Sequence, residues 1–224
     1  MMKLDFSVVF NNFAEYFLKG TINTLIIVSA SMIISVLLAI PFGLMKESKF
    51  RPLRILMGAF SWITRAIPAL VFLYFSYYGL IFFGINISPI VAAILGMTLS
   101  GVGYNMEFFI SGLKAVNKGQ YDACKSLGIS YGHTIKKVVL PQALRVSVPP
   151  LFSNMNLLLK GSSLAGIVGI PELTGLSNKL ISFTYRSIEI LITAAVIYIV
   201  LNSVLISVEK IILKKLNFPT NSIM

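Results

Sequence analysis

The sequence predicts an all-α integral membrane protein with five transmembrane helices, and its composition and charge distribution are the main indications. Of the 224 residues, 56% are hydrophobic and only 12% are charged, whereas soluble domains carry about 25% charged residues. The apolar residues gather in runs of the roughly 20 residues that a helix needs to cross a bilayer. The net charge of +11 does not indicate nucleic-acid binding, because the basic residues cluster at the ends of these runs, as in cytoplasmic loops.

Five segments are apolar and long enough to span the membrane. They lie at about 21–45, 54–83, 88–113, 138–160 and 187–213. Before them, residues 1–20 contain a short amphipathic stretch that is predicted to lie along the membrane surface. Residues 161–186 are too interrupted for a further span and are predicted to form short helical pieces in the outer half of the membrane. A transmembrane domain is thus expected over 21–215, followed by a tail at 216–224.

The basic residues orient these helices. They follow the first span at 46–54, separate the third from the fourth at 114–137, and end the fifth at 210–215. The loop between the second and third spans, Gly84–Ser88, carries no charge. Because cytoplasmic loops hold the excess of lysine and arginine, the N-terminus is predicted outside and the C-terminus in the cytoplasm.

One polar cytoplasmic segment, residues 117–137, has the pattern of a short helix. Gln120 to Leu127 is predicted as helical, with Asp122 in the first turn, where a negative charge favours the helix dipole. Gly128 follows at the position where a helix often ends on a left-handed residue. An apolar edge along this helix favours a docking element for a soluble partner over an ordinary solvated loop. That edge consists of Tyr121, Cys124 and Leu127.

The same segment resembles the EAA loop of the membrane subunits of ABC importers. "DACKSLG" at 122–128, nine further residues and "VVLP" at 138–141 reproduce its spacing, with Asp122, Cys124 and Val138 as mild departures. The resemblance implies that 117–137 is the loop that couples the chain to an ATPase. The residues it assigns to this role are Gln120, Asp122, Ala123, Leu127, Gly128, Leu140 and Pro141.

Other motifs resemble the polar amino acid branch of these permeases. They are "GTINTL" at 20–25, "RAIPAL" at 65–70 and "LPQALR" at 140–145. The resemblance implies a type I importer transmembrane domain in the bacterial plasma (inner) membrane. It also implies a second permease copy or paralogue, a cytoplasmic ATPase subunit, an external substrate-binding protein and surrounding lipid as partners.

The sequence itself contains no motif for binding ATP. A G-x-x-x-x-G-K-[ST] motif, whose backbone would cradle the phosphates of ATP, is absent, and His133 is the only histidine. The chain is therefore predicted to be no enzyme and to hold no cofactor or metal. ATP and Mg²⁺ are expected on the partner ATPase.

Two ionisable residues within the predicted spans, Arg65 and Glu107, are costly in a membrane and suggest function. One interpretation is a buried ion pair that stabilises the fold. The other is a substrate path, with the planar fork of Arg65 for the carboxylate of an amino acid and Glu107 for its ammonium group. Tyr104, one helical turn outward from Glu107, is expected beside this path.

The stretch Lys160, Gly161, Ser162 and Ser163 stands where the branch has Lys-Asp-Thr-Ser. Both hydroxyls are kept, so the resemblance adds Lys160, Ser162 and Ser163 to the predicted substrate path. The acid is missing at Gly161. If that acid serves cationic substrates, this subunit does not favour arginine or lysine. Lys160 alternatively extends to the outer membrane surface.

The function predicted from these residues is that of a permease subunit for a polar amino acid or a close analogue. The alternatives are a self-sufficient channel or ion-coupled carrier, and a scaffold that transports nothing. The docking helix favours the permease, because a channel needs no ATPase-coupling element.

Overall fold

The computed structural model describes residues 4–215, and this part of the chain consists of helices and connecting turns without strands. Helix α1 spans Ser7–Lys46 and includes a π-helical turn at Phe13–Leu18. The following helices are α2 (Arg51–Ala66), α3 (Ala69–Phe82), α4 (Pro89–Ala115), α5 (Lys118–Ser126), α6 (Tyr131–Thr134), α7 (Leu140–Gly161), α8 (Ser163–Ile167), α9 (Leu173–Thr184) and α10 (Ser187–Lys215).

Three of the described helices, α1, α4 and α10, are each long and apolar enough to cross a membrane. The pair α2 and α3 meets the same test only when it is taken together, as a broken span. Helix α7 has 22 residues, but it is interrupted by polar side chains such as Gln142, Arg145, Asn154 and Asn156. The number of five spans therefore remains a prediction.

Within the predicted second span, 54–83, the chain forms two helices that meet at 100°, so this segment is not one straight helix. Helix α2 ends at Ala66, and Ile67 is extended, with φ −84° and ψ 128°. Pro68 causes this break, since its ring disfavours a helical conformation of the residue before it. Arg65 thus lies in the last turn of a broken helix and not at a fixed depth within a straight one.

The helix that contains the first predicted span begins before residue 21. Helix α1 continues without interruption from Ser7 over 40 residues, which corresponds to about 60 Å at 1.5 Å per residue. Phe17 in its first part is fully buried and packs with Leu173 of α9 and Ile190 of α10. The N-terminal stretch is therefore held by the end of the bundle as an extension of α1. Residues 1–3 and the predicted tail at 216–224 lie outside the described residues.

Helix α4 is the centre of the bundle and contacts α1, α2, α3 and α7. Its glycines allow this: a Cβ at Gly96 would lie 3.0 Å from the carbonyl oxygen of Phe72 in α3, and one at Gly112 would collide with Ser147 and Ala143 of α7. Small residues are the usual means by which membrane helices approach closely, since lipid supplies no hydrophobic drive for association. The segment 161–186 contains the short helices α8 and α9, as the sequence predicts.

Candidate functional site

The break between α2 and α3 opens a cavity of about 280 Å³. Arg65 and Tyr104, both predicted to lie beside a substrate path, line this cavity together. The Tyr104 hydroxyl donates to the carbonyl oxygen of Arg65 at 3.5 Å. Opposite them, α7 contributes Asn154, Leu157, Leu158 and Gly161. The cavity is thus enclosed by the broken helix on one side and by α4 and α7 on the others.

Gly103 allows α2 to approach α4 beside the cavity. A Cβ at this position would collide with the Thr64 hydroxyl and would lie 3.0 Å from the carbonyl oxygen of Ser61. We expect Gly103→Leu to push α2 away and to lower the free energy of unfolding by about 1–3 kcal/mol, as overpacking does. Gly58→Leu, in α2, is the control, because nothing lies within 4 Å of a Cβ there. Equal melting temperatures of the two purified variants would contradict this account.

Glu107 does not line the cavity but is held behind it by three side chains. Lys46 at the end of α1 forms an ion pair with its Oε1, and the Ser61 hydroxyl donates to the same oxygen. The Nη2 of Arg65 lies 3.6 Å from that oxygen, and the Nε of Arg65 donates to the carbonyl oxygen of Ser61 at 3.2 Å. The structure therefore places Arg65 near Glu107, with Lys46 as a second cation that the sequence analysis did not assign.

Three further residues of the predicted substrate path, Lys160, Ser162 and Ser163, do not line this cavity. Lys160 lines a separate cavity of about 200 Å³ together with Tyr198 and Asn202 of α10. The hydroxyl of Ser162 donates to the carbonyl oxygen of Leu159 at 2.8 Å, and that of Ser163 donates to Lys160 at 2.7 Å. Neighbouring residues of a helix point about 100° apart, so Gly161 faces the first cavity while Lys160 faces α10.

A buried amide network beside the cavity was missed by the sequence analysis. The Nδ2 of Asn154 donates to Asn105 Oδ1 at 2.7 Å and to the carbonyl oxygen of Gly101 at 3.3 Å. The Nδ2 of Asn105 in turn donates to the Ser35 hydroxyl at 2.8 Å. These bonds connect α7, α4 and α1. The signal was two asparagines within apolar segments, since polar side chains in membrane helices generally face the interior of the bundle.

Glu172 is a second buried polar residue that was not predicted. It is fully buried and precedes α9, where its carboxylate accepts from the backbone N–H groups of Thr174 at 2.9 Å and Gly175 at 2.6 Å. The Tyr198 hydroxyl donates to it as well, at 3.0 Å. This is the geometry of a helix N-cap, so Glu172 fastens α9 to α10. An acidic residue just before an apolar helix was the available signal.

The predicted docking helix is present as α5 on the polar segment. Its N-cap is Asn117, whose side chain accepts from the N–H of Gly119 at 2.8 Å. At its other end Gly128 has φ +68°, and its N–H donates to the carbonyl oxygen of Lys125 at 3.0 Å. Because the helix begins at Lys118, Asp122 lies in the second turn, and its predicted place in the first turn is wrong.

The surface of this helix is largely open to solvent. Six of the seven residues assigned to coupling are exposed, namely Gln120, Asp122, Ala123, Leu127, Gly128 and Pro141. Within the predicted apolar edge, Cys124 is buried against the chain itself, whereas Leu127 is 76% exposed and the nearby Tyr131 is 75% exposed. Burial raises the pKa of the Tyr121 hydroxyl, and the neighbouring Tyr131 adds to this rise, so that Tyr121 stays neutral. Leu140 and Pro141 begin α7 directly behind the segment.

A groove of about 720 Å³ runs beside α5. Its walls are the turn after α1, the end of α4, α5 itself and α6. An ion pair between Lys114 of α4 and Glu47 of the turn after α1, at 2.9 Å, connects two of these walls. The predicted docking helix, through Lys118 and Tyr121, and the exposed Tyr131 of α6 therefore border a concave surface.

Comparison with known proteins identifies the family. A model of the family described as "Binding-protein-dependent transport system inner membrane component" matches residues 35–218. The chain is 32% identical to the probable amino-acid ABC transporter permease protein YckA of Bacillus subtilis (strain 168), over 89% of this chain and 88% of that protein. It is also 32% identical to the arginine transport system permease protein ArtQ of the same organism, over 96% and 98% of the two chains.

A solved structure shares the architecture. It is the crystal structure of an amino acid ABC transporter with histidines, which matches with a TM-score of 0.87 and 29% identity over 96% of this chain and 100% of that chain. The helical arrangement described above is therefore that of a type I ABC importer permease. With its matched motifs, helices and relatives, the chain belongs to the family of binding-protein-dependent transport system inner membrane components.

Proposed function

We propose that this permease forms the path by which a polar amino acid or a close analogue enters a bacterial cell across the plasma membrane. The observation that carries the proposal is the cavity at the broken helix, where Arg65 is offered to a small open space between α2, α4 and α7. A guanidinium is a bidentate partner for a carboxylate, which every amino acid carries. The names of the relatives, which include amino-acid and arginine permeases, support the substrate class.

In this proposal Arg65 and Tyr104 contact the substrate, whereas Glu107 does not contact it and instead positions Arg65. Lys46 and Ser61 hold the carboxylate of Glu107. This carboxylate lies 3.6 Å from the guanidinium of Arg65. Because it is also paired with Lys46, it orients the guanidinium without fully neutralising its charge. Contacts of Lys160, Ser162 and Ser163 with substrate stay predictions from the family resemblance.

We propose that α5 couples transport to ATP hydrolysis on a partner subunit. The helix has defined caps at both ends, is exposed along the residues assigned to coupling, and borders the groove of about 720 Å³. A separate ATPase subunit that binds ATP and Mg²⁺ would bind this surface. A second permease copy or paralogue and an external binding protein would complete the importer. The Leu127 and Tyr131 side chains, both at least 75% exposed, offer the apolar contacts for such a partner.

The experiment that tests the proposal is reconstitution. The chain should co-purify from native membranes with a subunit that mass spectrometry identifies as a nucleotide-binding ATPase. Proteoliposomes of that complex, with the binding protein, should take up a labelled amino acid only when ATP is present. Uptake by the chain alone in response to an ion gradient would instead support the carrier.

The proposed topology has five spans, with the N-terminus outside. We expect a cysteine introduced as Asn86→Cys in a Cys124→Ser background to react with a membrane-impermeant maleimide on intact cells. Lys118→Cys in the same background should react only after permeabilisation, because it begins α5 on the proposed cytoplasmic side. The two positions lie at opposite ends of α4, so labelling of both from the same side would contradict the proposal.

A further inference from the structure

The charge that the described residues bring to the cavity is positive. Among the described residues that line it, only Arg65 is ionisable apart from the tyrosine hydroxyl, and none is a carboxylate. The nearest carboxylate, Glu107, lies behind Arg65 and is paired with Lys46. An ammonium group of a substrate in this cavity would therefore meet no acidic side chain. Its partners have to be neutral oxygens.

The end of α2 offers such oxygens. The N–H of Ile67 donates to Ile63, Pro68 has no N–H, and α3 starts in a new direction at Ala69. Within residues 4–215, the carbonyl oxygen of Ala66 consequently has no hydrogen-bond donor, and that of Arg65 has only the Tyr104 hydroxyl at 3.5 Å. Both residues line the cavity. These carbonyls form the negative end of the helix dipole, where a cation is favoured. Broken membrane helices present cation-binding carbonyls in this way.

Asn154 supplies a further oxygen. Its side chain is 3% exposed, and its Nδ2 lies 3.3 Å from the carbonyl oxygen of Gly101, which can only accept a hydrogen bond. This contact determines which atom of the amide is nitrogen. The Oδ1 has no donor among the described residues, although Asn154 lines the cavity. This oxygen is therefore free to accept a hydrogen bond from a ligand or a water molecule in the cavity.

The rest of the wall is apolar. Ile67, Pro68 and Met97 lie on one side, and Leu157 and Leu158 of α7 lie on the other. A charged substrate side chain placed there would lose its hydration without gaining a partner.

From this arrangement we propose that the cavity is a binding site for an amino acid with an uncharged side chain. The guanidinium of Arg65 binds the α-carboxylate, the carbonyl end of α2 together with Asn154 Oδ1 binds the α-ammonium, and the apolar wall receives the side chain. The inference rests on the proposed function and deepens it, since it excludes arginine, lysine, aspartate and glutamate as preferred substrates of this subunit.

The first test is equilibrium binding to the full-length chain in lipid nanodiscs, measured with each radiolabelled proteinogenic amino acid. Amino acids with uncharged side chains should include the tightest ligand. For that ligand, the analogue without the ammonium group and the analogue without the carboxylate should each bind about tenfold more weakly or worse, since each loses charge-assisted hydrogen bonds. A tightest ligand that is cationic or acidic, or equal binding of either analogue, would overturn the proposal, as would the absence of saturable binding.

The second test uses a variant that is designed to change which amino acid the cavity prefers. Leu157 lines the cavity and is 62% exposed, so its replacement leaves no hole in the packed core of the chain. Leu157→Glu places a carboxylate on the apolar wall and should improve binding of arginine relative to the preferred neutral amino acid by about tenfold, the effect of one new charged hydrogen bond. Leu157→Gln has the same size without the charge and should leave the ratio unchanged. An unchanged ratio in Leu157→Glu would contradict the assigned wall.

The two levels of inference fail separately. ATP-driven uptake of an amino acid by the reconstituted complex, combined with tightest binding of a cationic or acidic one, would overturn the zwitterion site and leave the permease function standing. Loss of ATP-driven uptake for every amino acid would count against the proposed function itself.

Discussion

Replacement of Gly128 by valine is expected to abolish ATP-driven uptake while the protein still inserts and assembles. Gly128 ends the docking helix with φ +68°, a conformation that costs an L-amino acid about 1–2 kcal/mol, and more for a β-branched one. Valine would release the bond from its N–H to Lys125 and change how α5 ends. The expected signature is loss of uptake together with loss of substrate-stimulated ATP hydrolysis.

Gly132→Val is the control for that variant. Gly132 lies four residues away on the same exposed surface, has no positive φ, and has nothing within 4 Å of a Cβ. It should keep uptake near the parental level. Full uptake by Gly128→Val, in membranes that contain normal amounts of the complex, would count heavily against a docking role of α5.

Replacement of Arg65 by glutamine is expected to lower uptake by about tenfold or more, the loss of a bidentate charged hydrogen bond to a carboxylate. The amount of assembled complex should stay the same, because Lys46 and Glu107 remain paired without Arg65. Arg65→Lys keeps the charge but not the planar fork. It should therefore fall between glutamine and the parent in an uptake assay.

Charge balance separates this role from a purely structural one. Glu107→Gln leaves Lys46 and Arg65 near each other without a carboxylate, which should reduce assembly, because breaking a partly buried ion pair from one side is expensive. Removing Glu107 and Lys46 together, as glutamines, should restore assembly and leave Arg65 in the cavity wall. If Arg65→Gln, alone or combined with Glu107→Gln, transports as well as the parent, Arg65 only braces the fold.

The docking helix was predictable from the sequence because its determinants are local. Gly128 and the spacing to Leu140-Pro141 indicated where the helix ends and where α7 begins, and the structure places them there. The start was misplaced by two residues, since the side chain of Asn117 caps the helix earlier than the apolar pattern suggested. A cap of this kind depends on one rotamer, which periodicity does not reveal.

The candidate site was predictable only in part. Arg65 and Glu107 attracted attention because charges are rare in membrane helices. The pairing of Glu107 with Lys46, 61 residues apart in the chain, has no sequence signature. Gly161 lines one cavity and Lys160 lines another because of how α7 is rotated between α4 and α10. The free oxygen of Asn154 likewise depends on which bonds its nitrogen makes.

Composition, apolar runs and local motifs determined that this chain is an all-α membrane protein with a short capped helix in its polar segment, because hydropathy and turn residues act over short stretches of chain. The tertiary structure alone decided that the second apolar segment breaks at 100° and that Arg65 borders a cavity while Glu107 lies behind it. The physical reason is that a cavity and its charge balance arise where helices far apart in sequence meet, and close approach at glycines such as Gly103 decides which side chains meet there.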